Sequence, residues 1–327
     1  MVSMRPRQPK IAILGAGLQG ACVALALARR GYRTTLIERR AAPLLGASGR
    51  NEGKIHLGFV YALDDDGSTR RRMLESAMSF APLLDELCGP LPWATMCTEP
   101  FRYAVMPDSL AAPSALEAAY AELDELMGEV LRSADRPLHY LGGMPDRLWW
   151  VARDGRGRPL IDRRPVEHVY ETAEASVDPR ILARLVTDRL RSERAIDLLC
   201  DTRVVRADRL DGCYRLELAD AAGVRELGAD LVVNCAWEDR TRLDRFVGIE
   251  PDRDVCYRVK HQILVRPRSG AGDLAPVTMV QGPYGDLVPW RDGTVYVSWY
   301  PESRPYFGPT PPGARQCRAL VRRALQQ

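Results

Sequence analysis

The spacing of apolar and polar positions changes period several times along the chain, and each change predicts an element. Ile11 to Leu14 is an unbroken apolar run, the signature of a short strand buried on both faces. Glycines punctuate the next residues. Ala21 to Arg30 is then rich in Ala and Leu and reads as a helix closed by Gly31. Thr34 to Ile37 is a second β-type run, ending on Glu38. Helical spacing returns between Ser68 and Leu87, where Met73, Met78, Leu83 and Leu84 fall roughly on one face and Pro82 marks a kink or break. Phe101 to Met106 alternates like a strand, and Ala111 to Leu131 is an amphipathic helix.

The second half is richer in strands. Trp149 to Tyr170 is rich in Arg, Asp and Pro and predicts loops with short strands. Asp178 is an N-cap with Pro179 at the first helical position. Thr202 to Arg206 is a strand, followed by a pair around Tyr214 to Leu218 and Val224 to Leu227, with Asp211-Gly212 as a turn. Asp230 to Trp237 is a buried strand running into a small-residue loop. Val255 to Val265, Val277 to Gln281, Asp286 to Pro289 and Thr294 to Tyr300 are strand-like, and Ala314 to Gln327 reads as a helix.

The first strand, the glycine turn, the helix, the second strand and the terminal acid together make a dinucleotide-binding βαβ unit. Gly15, Gly17 and Gly20 stand in the spacing G-x-G-x-x-G. The first allows a sharp turn, the second a close approach of backbone to pyrophosphate, and the third close packing of helix on sheet. The helix start offers N–H groups to phosphate, and Glu38 suits an adenosine ribose. Arg39 and Arg40 hint at a 2′-phosphate, which Glu38 would repel, so the unit points to FAD or NAD over NADP, with Arg39 among the cofactor contacts.

Composition narrows the class. With 327 residues the chain can hold two domains or one large α/β body. Its net charge of +3 argues against nucleic-acid binding. No run of about 18 apolar residues is present, so no membrane span is expected. The basic and apolar N-terminus imitates a secretory signal, but its glycines fall on the nucleotide-binding spacing, and none is expected. Eight scattered cysteines without a C-x-x-C pair predict free thiols, a reducing cytoplasm and no zinc site. Asp64-Asp65-Asp66 lacks the alternating ligands of a calcium loop and reads as a solvated turn, so no metal site is expected.

A second glycine-rich stretch, Gly46 to Tyr61, follows the ribose acid closely and should be loop passing into an extended piece. Ser48, Asn51, Ile55, His56, Gly58 and Tyr61 stand in the order S-x-x-N-x-x-x-I-H-x-G-x-x-Y. This resembles the flavin-contacting segment of the FAD-dependent D-amino-acid-oxidase-like superfamily, nearest the branch of glycerol-3-phosphate and L-2-hydroxyglutarate dehydrogenases. Val177-Asp178-Pro179, Asn234-Cys235-Ala236, Tyr257 to Val265 and Leu287 to Tyr296 echo further elements of that superfamily. Trp237 stands where its members usually have glycine, and Ser298-Trp299-Tyr300 replaces a G-T-T-D turn.

The resemblance makes FAD the cofactor and implies an α/β fold. A discontinuous Rossmann-like FAD-binding domain would span 1–90 and 165–250. A mixed α+β substrate domain of largely antiparallel sheet would span 91–164 and 251–327. It implies cofactor contacts at Ser48, Asn51, Gly53, Val204 and Ala236 beside Gly15, Gly17, Gly20, Glu38 and Arg39. The implied reaction is hydride transfer to flavin from a CH–OH or CH–NH group of a small hydroxy- or amino-acid-like substrate. His56, placed by the resemblance beside the ring, is the first candidate base and His261 the second. Arg102, Arg258 and Lys260 are candidate carboxylate partners, with Tyr300 in an aromatic pocket. The electron acceptor stays open between oxygen, a quinone and a protein. A later G-x-R segment of the superfamily has no match before Gln327. The alternative is therefore a truncated or catalytically impaired FAD-binding homologue whose site a partner chain completes.

Overall fold

The computed structural model describes residues 7–152, 166–268, 274–300, 306–313 and 316. In chain order the first third runs β1 (Ile11–Leu14), α1 (Leu18–Arg29), β2 (Thr34–Ile37), α2 (Ser68–Cys88), α3 (Trp93–Met96), β3 (Arg102–Val105) and α4 (Pro113–Ser133). Next come β4 (Trp149–Val151), β5 (His168–Thr172), α5 (Pro179–Ser192), β6 (Ile196–Leu199), β7 (Arg203–Leu210), β8 (Cys213–Asp220), β9 (Gly223–Ala229), β10 (Leu231–Asn234) and α6 (Arg240–Phe246). The remainder holds β11 (Tyr257–Val259), β12 (Ile263–Val265), β13 (Val277–Val280), β14 (Gly285–Pro289), β15 (Val295–Trp299) and β16 (Tyr306–Gly308). The helix expected over 314–327 and the loops expected over 153–165 lie outside the described residues, apart from residue 316.

Four strands form a parallel sheet in the order β10-β1-β2-β6. Ile11 pairs with both Leu231 and Thr34, so β1 is central, which explains why its four residues are all apolar and buried. On one face α1, α2 and α5 bury Leu25, Leu84, Leu182 and Val186 against Ile11, Ile13 and Leu36. On the other, Ala12, Leu14 and Ile37 meet Val204, Leu216 and Leu218 of the antiparallel sheet β7-β8-β9. Alternate residues of β1 therefore serve two separate cores.

A seven-stranded sheet, β12-β15-β14-β13-β3-β5-β4, forms the second layer; it is antiparallel except where β13 runs parallel to β3. Its buried face supplies Tyr103, Tyr170, Val288 and Tyr296 to a core closed by Phe59, Leu74, Leu116 and Tyr120. Helix α2 joins the two halves: Leu74 and Met78 pack in this core, Ala81 and Leu84 in that of the parallel sheet. It runs unbroken through Pro82. Tertiary burial on both sides outweighs the missing backbone donor that made a break the local expectation.

Two other local expectations shift. Strand β5 pairs with β3 and β4, so the stretch from His168 belongs to the large sheet and the chain rejoins the parallel sheet only after Thr172. The strand-like stretch 255–265 divides, with β11 pairing β16 and β12 pairing β15. At the end of α1, Gly31 has φ +82 and donates its N–H to Ala28 O at 2.9 Å, the left-handed stop its position promised.

Candidate cofactor and active site

A cleft of about 700 Å³ opens at the C-terminal ends of β1, β2 and β10, where parallel α/β sheets hold their ligands. Its walls include Gly15, Gly17, Glu38, Arg39, Ser48, Asn51, Gly53, Val204 and Ala236, all read from the sequence as cofactor contacts. Gly20 is absent from the wall because it works behind it. A Cβ there would lie 1.9 Å from Gly15 O, so only glycine lets α1 seat against the turn. A Cβ on Gly15, at φ +96, would lie 2.7 Å from Cys235 O, and one on Gly17 would lie 3.2 Å from Ser48 Oγ. The cleft floor is thus bare backbone, as a pyrophosphate requires.

The polar groups in the wall are committed to building it. Ser48 Oγ accepts from Leu18 N at 3.0 Å, at the start of a helix whose first turn carries no acidic residue. Glu38, 8% exposed, accepts from Ala16 N and Arg40 N, both at 2.9 Å, which locks the carboxylate at the tip of β2. Asn51 serves its own loop, donating to Ala47 O at 2.7 Å and accepting from Gly53 N at 2.6 Å. Gly53 must be glycine: φ is +67 and a Cβ would lie 1.9 Å from Val177 O. Arg39 turns to the loop after β10, ion-paired with Glu238 and with Asp239 at 2.6 Å. Trp237, at the head of that loop, has φ +48 and is 76% exposed.

From Gly53 the chain enters the second layer by pairing with the segment before α5. Lys54 bridges Ser176, and Ile55 N donates to Ala175 O at 3.1 Å. This pairing carries His56 onto Glu174, a fully buried acid that accepts from Leu57 N at 2.7 Å and from the Tyr103 phenol. His56 Nδ1 lies 3.5 Å from Glu174 Oε1, an ion-pair distance without hydrogen-bond geometry, and its ring meets Tyr61 edge-on at 6.0 Å. Burial would raise the Glu174 carboxyl, but His56, Lys54 and the Tyr103 hydrogen bond outweigh it and hold it below the usual range. Burial and Glu174 push the Tyr61 phenol up, with Arg258 and Lys54 opposing.

A second charged group adjoins this one. Lys54 Nζ, buried, donates to Asp286 at 2.6 Å and to Thr278, and sits 4.1 Å from the centre of the Phe101 ring. The Lys54 charge and hydrogen bond hold Asp286 below the ordinary carboxylate range against its burial. Glu52 accepts from Lys260 at 3.2 Å and from the Tyr296 phenol at 3.3 Å; burial would raise it, and Lys260 chiefly brings it down. Lys260 also lies 5.3 Å from the Tyr300 ring.

Of the expected substrate-side residues, His56, Arg258, Lys260 and Tyr300 therefore gather around Glu52, Glu174 and Tyr61. Arg102 does not. It alternates with the inward-facing Tyr103 along β3 and pairs at 3.5 Å with Glu171 on the neighbouring strand. His261 stands between β11 and β12, its Nε2 buried without a partner and its pKa lowered by burial. Sequence reading passed over Glu174, Lys54, Asp286 and Glu52. A lone acid among small residues before α5, and two charges flanking Gly53, were the available signals.

Among the described residues no helix is long and apolar enough to cross a membrane, and no group of three or more His, Cys, Asp or Glu could hold a metal. The profile of the DAO family, FAD dependent oxidoreductase, matches residues 10–327. A 96-residue stretch is 40% identical to the tRNA 5-methylaminomethyl-2-thiouridine biosynthesis bifunctional protein MnmC of Shewanella amazonensis, covering 26% of this chain and 14% of that protein. The chain thus spans about a seventh of that relative's length. L-proline dehydrogenase from P. horikoshii superposes with a TM-score of 0.65 at 17% identity, over 98% of this chain and 77% of its own. Glycine oxidase from Geobacillus kaustophilus gives 0.63 at 17% identity, over 97% and 77%. At that identity the likeness is one of fold.

Proposed function

The chain belongs to the DAO family of FAD-dependent oxidoreductases, and from that premise we propose that it oxidises a CH–NH or CH–OH group of a small amino- or hydroxy-acid-like substrate. One observation carries the reading: the loop that lines the cofactor cleft at Ser48 to Gly53 continues directly into His56 over the buried carboxylate of Glu174. FAD, when bound, supplies the hydride acceptor.

The residues present fit that cofactor. Gly15 and Gly17 offer bare backbone to the pyrophosphate, the start of α1 adds N–H groups, and Glu38 has lone pairs left for a ribose hydroxyl. Ser48, Val204 and Ala236 complete the wall, with Asn51 and Gly53 shaping the loop. On the substrate side His56 takes the proton from the substrate heteroatom. Glu174, 3.5 Å from Nδ1, gives the imidazole a counter-charge when it is protonated. Arg258 and Lys260 supply cations for a substrate carboxylate, and Tyr300 closes the aromatic side. His261, whose pKa burial lowers, is the second candidate base.

We favour the CH–NH arm, which the names of two neighbours of the same fold, glycine oxidase and L-proline dehydrogenase, support and that of a third, L-alpha-glycerophosphate oxidase, does not. We place the protein in the cytoplasm, supported by the free state of all seven cysteines among the described residues. Anaerobic addition of amino acids, N-substituted amino acids and hydroxy acids to the flavin-loaded protein tests the reaction. Bleaching of the flavin absorbance by an amine-bearing member, with none by hydroxy acids, is expected. Bound flavin that no member bleaches would sink the reaction and favour the FAD-binding homologue that needs a partner chain.

A further inference from the structure

Trp237 is the part of the cleft that the rest of the site does not use. Its φ of +48 is a conformation that favours glycine, yet the position holds the bulkiest side chain. Its indole is 76% exposed and lines the same cleft as Gly17 and Glu38. The other aromatic residue in that wall, Phe80, is half-buried and packs on Trp93 at 6.0 Å.

The turn that carries Trp237 is pinned. Glu238 and Asp239 both pair with Arg39, and Arg242 and Arg203 reach Asp239 at 3.4 and 4.0 Å. Asn234 anchors the turn from beneath, donating to Arg240 O at 3.0 Å and to Asp244 at 2.7 Å. Arg39 directly follows Glu38, the acid placed for the ribose. A strained turn pinned by ion pairs thus holds a solvent-facing indole in the cleft wall, one residue before the Glu238 and Asp239 that grip the neighbour of the ribose acid.

We propose that Trp237 is the adenine platform of the site, its indole stacking on the adenine ring of bound FAD. An aromatic face suits any base, and an indole already held in place loses little freedom on binding. The ring restores by side-chain contact what a glycine turn would give by backbone approach. The proposal rests on FAD as the cofactor.

Calorimetric titration of the apoprotein with FAD and with ADP, which carries the adenosine half alone, tests it in the wild type and in Trp237→Ala, Trp237→Gly and Trp237→Phe. Alanine and glycine should weaken both ligands about tenfold, and phenylalanine by less than about threefold. Tryptophan emission quenched by ADP in the wild type should lose that component in Trp237→Phe. Without ligand, Trp237→Gly should melt at or above the wild-type temperature, because glycine adopts this backbone freely. ADP binding unchanged in the alanine and glycine variants, with FAD still bound, overturns the stacking and leaves the cofactor intact. Affinity and unliganded stability falling together in the glycine variant would reduce Trp237 to a structural role and overturn it too. A wild-type protein that binds neither ligand removes the cofactor assignment and this proposal together.

Discussion

Gly20 and Lys54 mark two kinds of single-residue constraint. A methyl on Gly20 would drive into the Gly15 carbonyl at 1.9 Å, backbone against backbone with no flexible atom to yield. Gly20→Ala is expected to cost about 3 kcal/mol by overpacking, read as a lower urea midpoint. Lys54 is constrained by charge instead. Asp286→Asn strands its ammonium in the core and should cost about 3–5 kcal/mol, whereas the double change Lys54→Met, Asp286→Leu should recover most of it. Recovery absent in the double variant would show that packing around Phe101, rather than charge, decides the site. His56→Gln should lower kcat by about 10²–10⁴ while FAD affinity holds, since His56 is not in the cleft wall. The glycines were legible from spacing, because their job is local. The Lys54–Asp286 pair was not, since its partners meet only through the pairing of distant strands.

Elements were read best where local chemistry and burial agree. Asp178 caps α5 through Arg180 N at 2.9 Å and also pairs with the Arg180 side chain, with Pro179 at the first helical position, as its sequence implied. Asp178→Ala should therefore cost about 1 kcal/mol, measured by chemical denaturation. The break that Pro82 allowed in helix α2 does not occur, and the forces that keep it continuous, burial of Ala81 and Leu84 on one side and Leu74 and Met78 on the other, lie outside any local window. The split of 255–265 into β11 and β12 is of the same kind. A run of strand-forming residues carries no mark of which neighbour each half will pair with.

Across the whole molecule three carboxylates, two buried and one half-buried, set the acid limit. Glu52, Glu174 and Asp286 all titrate below ordinary carboxylates in the folded protein, so the native state binds fewer protons than the unfolded chain. Their contribution is complete above the ordinary carboxylate pKa of about 4 and is lost as pH falls below it through the depressed folded values. Thermal midpoints should accordingly fall steeply below about pH 4, and less steeply in the Lys54→Met, Asp286→Leu variant. A flat profile there would contradict the ionised state of these groups.

From order along the chain alone came the βαβ unit, Glu38 and a dinucleotide, FAD or NAD, because a phosphate cradle is built from consecutive residues whose spacing is its geometry; the choice of FAD came from the family resemblance of Ser48 to Tyr61. Placement of His56 over Glu174, of Lys260 beside Glu52 and of Arg102 away from both was decided only by the fold. Those contacts depend on which strands pair and which face each residue takes, and a shift of one residue reverses the face. The cofactor was therefore legible from the sequence, whereas the substrate side took shape only in three dimensions.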